Sequence, residues 1–297
     1  ADVFAELFQP VEGFIDGGRV EGNAAGNDVG EIRPSGAGKV EQQGNFVGEM
    51  IGDANDLGFA VDQFVVGRDF EILFRDAGER LLEVGGGPGY LWRDCLPLLP
   101  AGCRLVFSDF SPGMVNETRR TLPAAQAPVH LAVIDAQHIP FPAASFDRVM
   151  AHFMLYHMPD RPRAIREIWR VLRPGGVLLA ATNGRGHLRQ MHAYLRTIHG
   201  QPPNQTPVRS GFDLEDGGEQ LGACFPQVEV RRYPDALRVT HPQAILDYLL
   251  SMWQLQRDTL DADALARLRA DLEEQVRLEG YVHIDEDSGL FVACKQT

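Results

Sequence analysis

Leu81 to Cys95 reads LLEVGGGPGYLWRDC, an apolar run that closes on a carboxylate, breaks into four glycines and a proline, and then resumes with helical spacing. A strand that delivers an acid and bare main chain to one point is a ligand-binding turn. Gly85, Gly86, Gly87 and Gly89 let the backbone take conformations closed to other residues and let a ligand approach it closely, while Pro88 stiffens the loop. In an open α/β sheet, ligands lie beyond the carboxyl ends of the strands, where the strand order reverses. The first strand-to-helix turn is therefore where the ligand's chemistry is written.

Working outward from that turn, short β-rich runs alternate with helical patterns, the signature of βαβ units and a parallel sheet. The runs are RLLEV, RLVFSD, VHLAVID, FDRVMAHF and GVLLAAT. Between the last two, RAIREIWRVL repeats Ala164, Ile165, Ile168, Trp169 and Leu172 at helical spacing, and Pro174-Gly175-Gly176 ends the helix. The fold class is α/β with a doubly wound, mostly parallel sheet. Beyond Thr182 a helix is expected over His187 to Ile198, a short one near Leu214 to Cys224, and strands in QVEVRRYPDALRV and SGLFVACK. Helices over Pro242 to Leu255 and Asp263 to Leu278 separate those strands; in the second, Leu265, Leu268, Leu272 and Val276 form one packing stripe.

Strand-end acids decide what the turn holds. A dinucleotide fingerprint begun at Gly85 requires glycine at position 90, where this chain has Tyr90. Glu83 ends the first strand, Asp109 the second and Asp135 the third, and three carboxylates around one pocket oppose a pyrophosphate. They suit a ligand with positive charge and a ribose. S-adenosylmethionine carries a sulfonium, an ammonium, a ribose diol and an adenine, and no phosphate. Asp109 suits both ribose hydroxyls, Glu83 the ammonium end directly or through water, and Asp135 with the Ala136 backbone the adenine amino edge.

With those residues, positions 81–183 and the closing SGLFVACK resemble a class I S-adenosylmethionine-dependent methyltransferase of the type 11 group, similar to ubiquinone and menaquinone biosynthesis C-methyltransferases. The matching pieces are LLEVGGGPG, SDFSPGM, VIDAQHIPFPAASFDRV and EIWRVLRPGGVLLAAT. The resemblance implies a seven-stranded sheet in the order 3-2-1-4-5-7-6 with strand 7 antiparallel. It also implies that Phe110 and Met114 border the nucleoside, and His152 and Phe153 the methionine part. The helices between the last two strands, residues 242–279, exceed the minimal fold and are expected to form a lid.

A sulfonium already makes its methyl group electrophilic, so the protein's task is to align the nucleophile, exclude water and supply a matching field, without a metal. The segment AHFMLYHMPD after the fourth strand should face that methyl, which makes His157, Tyr156 and His152 the candidate proton acceptors. Asn183 is a candidate for orienting a polar acceptor atom, or simply a turn residue. A nicotinamide-dependent oxidoreductase and a non-catalytic cofactor-binding module are the competing readings.

Composition narrows the partners. Forty-one acidic against 28 basic side chains give a formal charge of -13 in 297 residues, which repels nucleic-acid backbones and anionic bilayers. The expected partner is a small-molecule acceptor, with no nucleic acid, no membrane and an undetermined oligomeric state. No uncharged apolar run approaches the roughly 18 residues of a spanning helix, so a cytoplasmic protein is expected. Cys95, Cys103, Cys224 and Cys294 lack metal-site spacing and read as buried free thiols. Twelve of the 31 glycines fall in the first 60 residues, so residues 1–70 are expected to be a loosely packed extension ahead of a methyltransferase domain over 71–297.

Overall fold

The computed structural model describes residues 40–42, 76–122, 129–198, 211–252 and 261–296. Its core is one sheet. β1 (Arg80–Glu83), β2 (Arg104–Asp109), β3 (Val129–Val133), β4 (Phe146–Met150) and β5 (Leu172–Asn183) are parallel, while β6 (Gln227–Val239) and β7 (Val282–Cys294) complete it. The order is β3-β2-β1-β4-β5-β7-β6, with β7 antiparallel to both neighbours. This is the expected topology. One strand more is present than the expected seven, because Val40–Gln42 pairs antiparallel with the outer edge of β6, from Val40 opposite Val239 to Gln42 opposite Leu237. Apart from those three residues, the expected loose extension over 1–70 lies outside the described residues.

Both faces of a parallel sheet are covered, which is why its strands are apolar almost throughout. All five residues of β4 are buried, Asp147 and Arg148 included. Those two sit toward the amino end of the strand, where Arg148 donates to both carboxylate oxygens of buried Glu79 at 2.8 and 2.9 Å and Asp147 accepts the Arg80 N–H at 2.7 Å. Pairing is what makes such burial tolerable. It also confines these charges to the amino ends of the strands and leaves the carboxyl ends to the ligand.

The α-helices among the described residues are α1 (Tyr90–Cys95), α2 (Pro112–Thr121), α3 (Arg161–Val171), α4 (Arg189–Ile198), α5 (Gly217–Gly222), α6 (Pro242–Met252) and α7 (Ala262–Glu279). Start and stop chemistry is local: Ser111 caps α2, Asp160 caps α3, and Asp261 accepts two backbone N–H groups at the start of α7, which stops at Gly280. Helix α3 ends at Val171, earlier than the Pro-Gly-Gly suggests, and that triplet lies inside β5. Its buried face is Ala164, Ile165, Ile168 and Val171. Trp169 is not on it: the indole is 40% exposed beneath the Lys295 ammonium, 3.8 Å above its ring, while Lys295 donates to the Trp169 and Leu172 carbonyls.

Two apolar clusters among the described residues bear on the site. One packs Trp92 and Leu96 against Leu81, Leu105, Phe107, Met150 and Leu179. The other joins α4, α6 and α7 to the outer ends of β6 and β7 through Leu195, Leu246, Leu249, Leu268, Leu272 and Ile284. The α7 stripe is therefore packing, with Leu265 and Val276 flanking it. Of the four free cysteines only Cys103 is buried; Cys95, Cys224 and Cys294 are half-buried, short of the full burial expected. No helix among the described residues is long and apolar enough to cross a membrane.

Candidate active site

At the carboxyl ends of the parallel strands lies a cleft of about 1140 Å³. Its floor is the glycine turn. Val84 N donates to Met150 O and Gly86 N to Ser108 O, tying the turn to β4 and β2. A side chain at Gly86 would overlap the Phe107 ring, so this position permits no Cβ. Gly87 differs, with φ +60° and nothing within 4 Å of where a Cβ would stand. Bare main chain faces open cleft there, the form a ligand cradle takes.

The three strand-end acids line this one cleft. Asp109 accepts the Gly87 N–H at 2.9 Å through Oδ2 and the Ser111 N–H at 2.7 Å through Oδ1. One carboxylate thus fixes both the glycine turn and the start of α2, and keeps lone pairs for a diol. Asp135 is likewise held from its own loop, accepting from Gln137 N at 2.8 Å and lying 3.2 Å from His138 Nδ1. Burial pushes its pKa up, but the Gln137 and His138 contacts outweigh that and hold the carboxyl below its usual range.

Glu83 is the most enclosed, 2% exposed. Its Oε2 accepts from the Trp92 indole, and its Oε1 lies 3.5 Å from His152 Nδ1. Desolvation raises the Glu83 pKa, with His152 offsetting part of it. Both His152 ring nitrogens are buried and make no well-formed hydrogen bond, an unusual state for imidazole. A cationic or hydrogen-bonding ligand group beside Glu83 and His152 would satisfy both.

The remaining expected residues, Gly89 excepted, also lie on the cleft. Gly85, Ala136 and Phe153 line it, as do Phe110 and Met114, which are 70% and 43% exposed on its rim. Gly89 is not a lining residue. It heads α1 with φ +75° and packs against Thr118, whose hydroxyl lies 3.0 Å from the Gly87 carbonyl oxygen. Phe153 holds φ +50°, a region rare for a bulky side chain and enriched at binding sites. Of the proton-acceptor candidates, Tyr156 and His157 line the cleft from the turn Leu155–His157, their rings tilted at 59° with centroids 4.5 Å apart. Asn183 ends β5, and its Oδ1 accepts from Ser288 Oγ at 2.9 Å.

A second wall was not legible in the sequence. His187, Leu188, Met191 and His192, from the end of β5 into α4, face the cleft together with Tyr248 of α6. Burial, with His192 nearby, lowers the His187 pKa to about 4, and burial also lowers that of His192. The one signal for this wall is a histidine after the glycines of Asn183-Gly184-Arg185-Gly186, which resembles any surface turn.

A doubly wound sheet with an antiparallel seventh strand, and a ligand cleft at its reversal point, defines the class I S-adenosylmethionine-dependent methyltransferase fold. Residues 82–180 match the family described as "Methyltransferase domain". The malonyl-[acyl-carrier protein] O-methyltransferase of Serratia marcescens is 32% identical over 127 residues, 42% of this chain and 46% of that one. The ubiquinone/menaquinone biosynthesis C-methyltransferase UbiE of Bordetella parapertussis is 36% identical over 102 residues, 34% and 40% of the two. The chain therefore spans less than half the length of these curated relatives. Among solved structures, the YcgJ protein of Bacillus subtilis superposes with a TM-score of 0.52 at 18% identity, covering 79% of this chain and 99% of that one, a likeness of fold.

Proposed function

We propose that this chain transfers the methyl group of S-adenosylmethionine to a small organic acceptor by in-line displacement. The observation that carries the reading is the meeting of Glu83, Asp109 and Asp135 on one cleft with the open main chain of Gly87. Bound S-adenosylmethionine would supply an electrophilic methyl on a sulfonium. Asp109 would hold the ribose hydroxyls, Asp135 and Ala136 the adenine edge, and Phe110 and Met114 would cover the nucleoside. Glu83 and His152 would meet the methionine end, and a ligand group there would complete the hydrogen bonding of the His152 nitrogens.

The acceptor would enter above this floor, between Tyr156 and His157 on one side and the wall from His187 to His192 on the other. Tyr248 brings α6 to the same chamber, which supports a part for α6 in the lid expected of residues 242–279, of which 253–260 lie outside the described residues. His157, Tyr156 and His152, all on the cleft, would be the groups to take a proton where the acceptor has one to lose. The formal charge of -13 favours a small molecule over a nucleic acid. The relatives' names include one O-methyltransferase and one C-methyltransferase, so both kinds of acceptor atom belong in a screen.

Calorimetry with S-adenosylmethionine, S-adenosylhomocysteine and NAD side by side tests the donor. Binding of the first two without NAD is the expected result; NAD binding with no response to S-adenosylmethionine would refute it. Transfer of labelled methyl into the small-molecule fraction of a cell extract tests the reaction, and binding without transfer to any fraction would indicate a non-catalytic module.

A further inference from the structure

The turn after β5 is clamped to β7 along its length. Gly184 N donates to Asp287 O at 2.7 Å, Gly186 N reaches Asp287 Oδ2 at 3.3 Å, and Leu188 N donates to Asp285 O at 2.8 Å. Within that clamp the direction of one hydrogen bond fixes a tautomer. The Asp287 backbone N–H donates to His187 Nδ1 at 3.3 Å, so Nδ1 carries a lone pair and the ring proton sits on Nε2. Imidazole geometry puts Nε2 on the far side of the ring from β7, and His187 is one of the residues that line the cleft.

We propose that His187 is a fixed hydrogen-bond donor that recognises an oxygen atom of the methyl acceptor through its Nε2–H. Apolar contact for the body of that acceptor comes from Leu188, Met191 and Tyr248 on the same wall. Protonation would force Nδ1 to give up the Asp287 N–H, and burial works in the same direction, so the imidazole stays neutral across the physiological range. His187 is in this way set apart from the proton-taking candidates: it orients and selects. An ammonium or an aromatic hydrocarbon in its place leaves the buried donor unpaired, which is what gives such a site discrimination.

The proposal rests on the donor reading above, so its test separates the two. Calorimetry first establishes S-adenosylhomocysteine binding; failure there overturns the underlying reading. The loaded protein is then titrated with 2-naphthol and with 2-methylnaphthalene, probes of similar shape of which only the first offers an oxygen. The expected result is about tenfold tighter binding of 2-naphthol, the size of one hydrogen bond to a buried group. His187→Gln puts an amide donor where Nε2 stood and should retain that preference. His187→Asn supplies an oxygen for the Asp287 N–H but no donor toward the cleft, and should lose it while binding S-adenosylhomocysteine as before. A role confined to holding the turn predicts the reverse ranking of the two variants. Equal binding of the two probes by the unmodified protein, binding of neither, or an unchanged preference in His187→Asn would overturn the proposal.

Discussion

Asp109 Oδ2 accepts the Gly87 N–H at 2.9 Å, so the acid closing the second strand holds the turn that leaves the first. The other oxygen of the same carboxylate accepts from Ser111 N, at the start of α2. With the ribose role proposed for it, Asp109 would serve ligand recognition as well as loop geometry, and substitution there should be felt in both. Asp109→Ala is expected to weaken S-adenosylmethionine binding by about 1.5 to 3 kcal/mol, the range for hydrogen bonds involving a charged group. Calorimetry gives the first quantity, and a lowered melting temperature without ligand reports the freed turn. Unchanged affinity would remove Asp109 from the ribose.

Gly87 and Gly89 sit two residues apart with the same left-handed backbone, yet their surroundings predict different losses. At Gly87 a methyl group meets no neighbour within 4 Å, so Gly87→Ala should cost only about 1 kcal/mol of stability, the penalty of φ +60°. The methyl would stand in the space assigned to the ligand, and S-adenosylhomocysteine affinity should fall at least about tenfold, some 1.4 kcal/mol. At Gly89 the added atom would lie 2.5 Å from Thr118 Cγ2, so Gly89→Ala should be the more destabilising. Paired melting curves and titrations check the ranking; tight ligand binding by Gly87→Ala would mean the turn does not approach the cofactor.

Much of this was written in the sequence because parallel strands are buried on both faces and read as apolar runs. RLVFSD became β2 and QVEVRRYPDALRV became β6 without change of boundary. The closing strand was seen only from SGLFVACK, whereas it begins at Val282. Its first half, VHIDED, looks like a polar loop, yet Val282, Ile284 and Glu286 alternate inward, as a strand with one covered face requires. The residues of the cleft floor, Gly89 excepted, were legible because strand ends and glycine turns are local features. The opposite wall was not. His187, Met191 and Tyr248 meet only because α4 and α6 pack on the ends of β6 and β7, a consequence of tertiary packing with no local signature. Trp169 shows the converse error, an aromatic at core spacing that serves instead as a platform for Lys295.

Glu286 and His187 give opposite pH dependences of stability, and their balance is testable. Glu286 is 4% exposed opposite its strand partner Asp235, and burial, then the Asp235 charge, raises its pKa from 4.5 to about 7. Between those values the folded chain keeps a proton that the unfolded chain has lost, so stability falls as pH rises through the window, by on the order of 3 kcal/mol. For His187 the folded pKa, about 4, lies below the unfolded 6.5. Here the unfolded chain binds the extra proton, so stability is lost as pH falls from 6.5 toward 4, again by on the order of 3 kcal/mol. From these two groups alone, the contributions cancel over roughly pH 4.5 to 6.5 and leave a plateau. Glu286→Gln should remove the alkaline decline, raising stability most near pH 8 and leaving a slope that rises toward pH 6.5. His187→Gln should do the opposite and unmask a decline from pH 4.5 to 7. Urea unfolding at a series of pH values measures both slopes, and a Glu286→Gln variant no more stable than the parent at pH 8 would show that Glu286 is ionised in the folded chain at no cost.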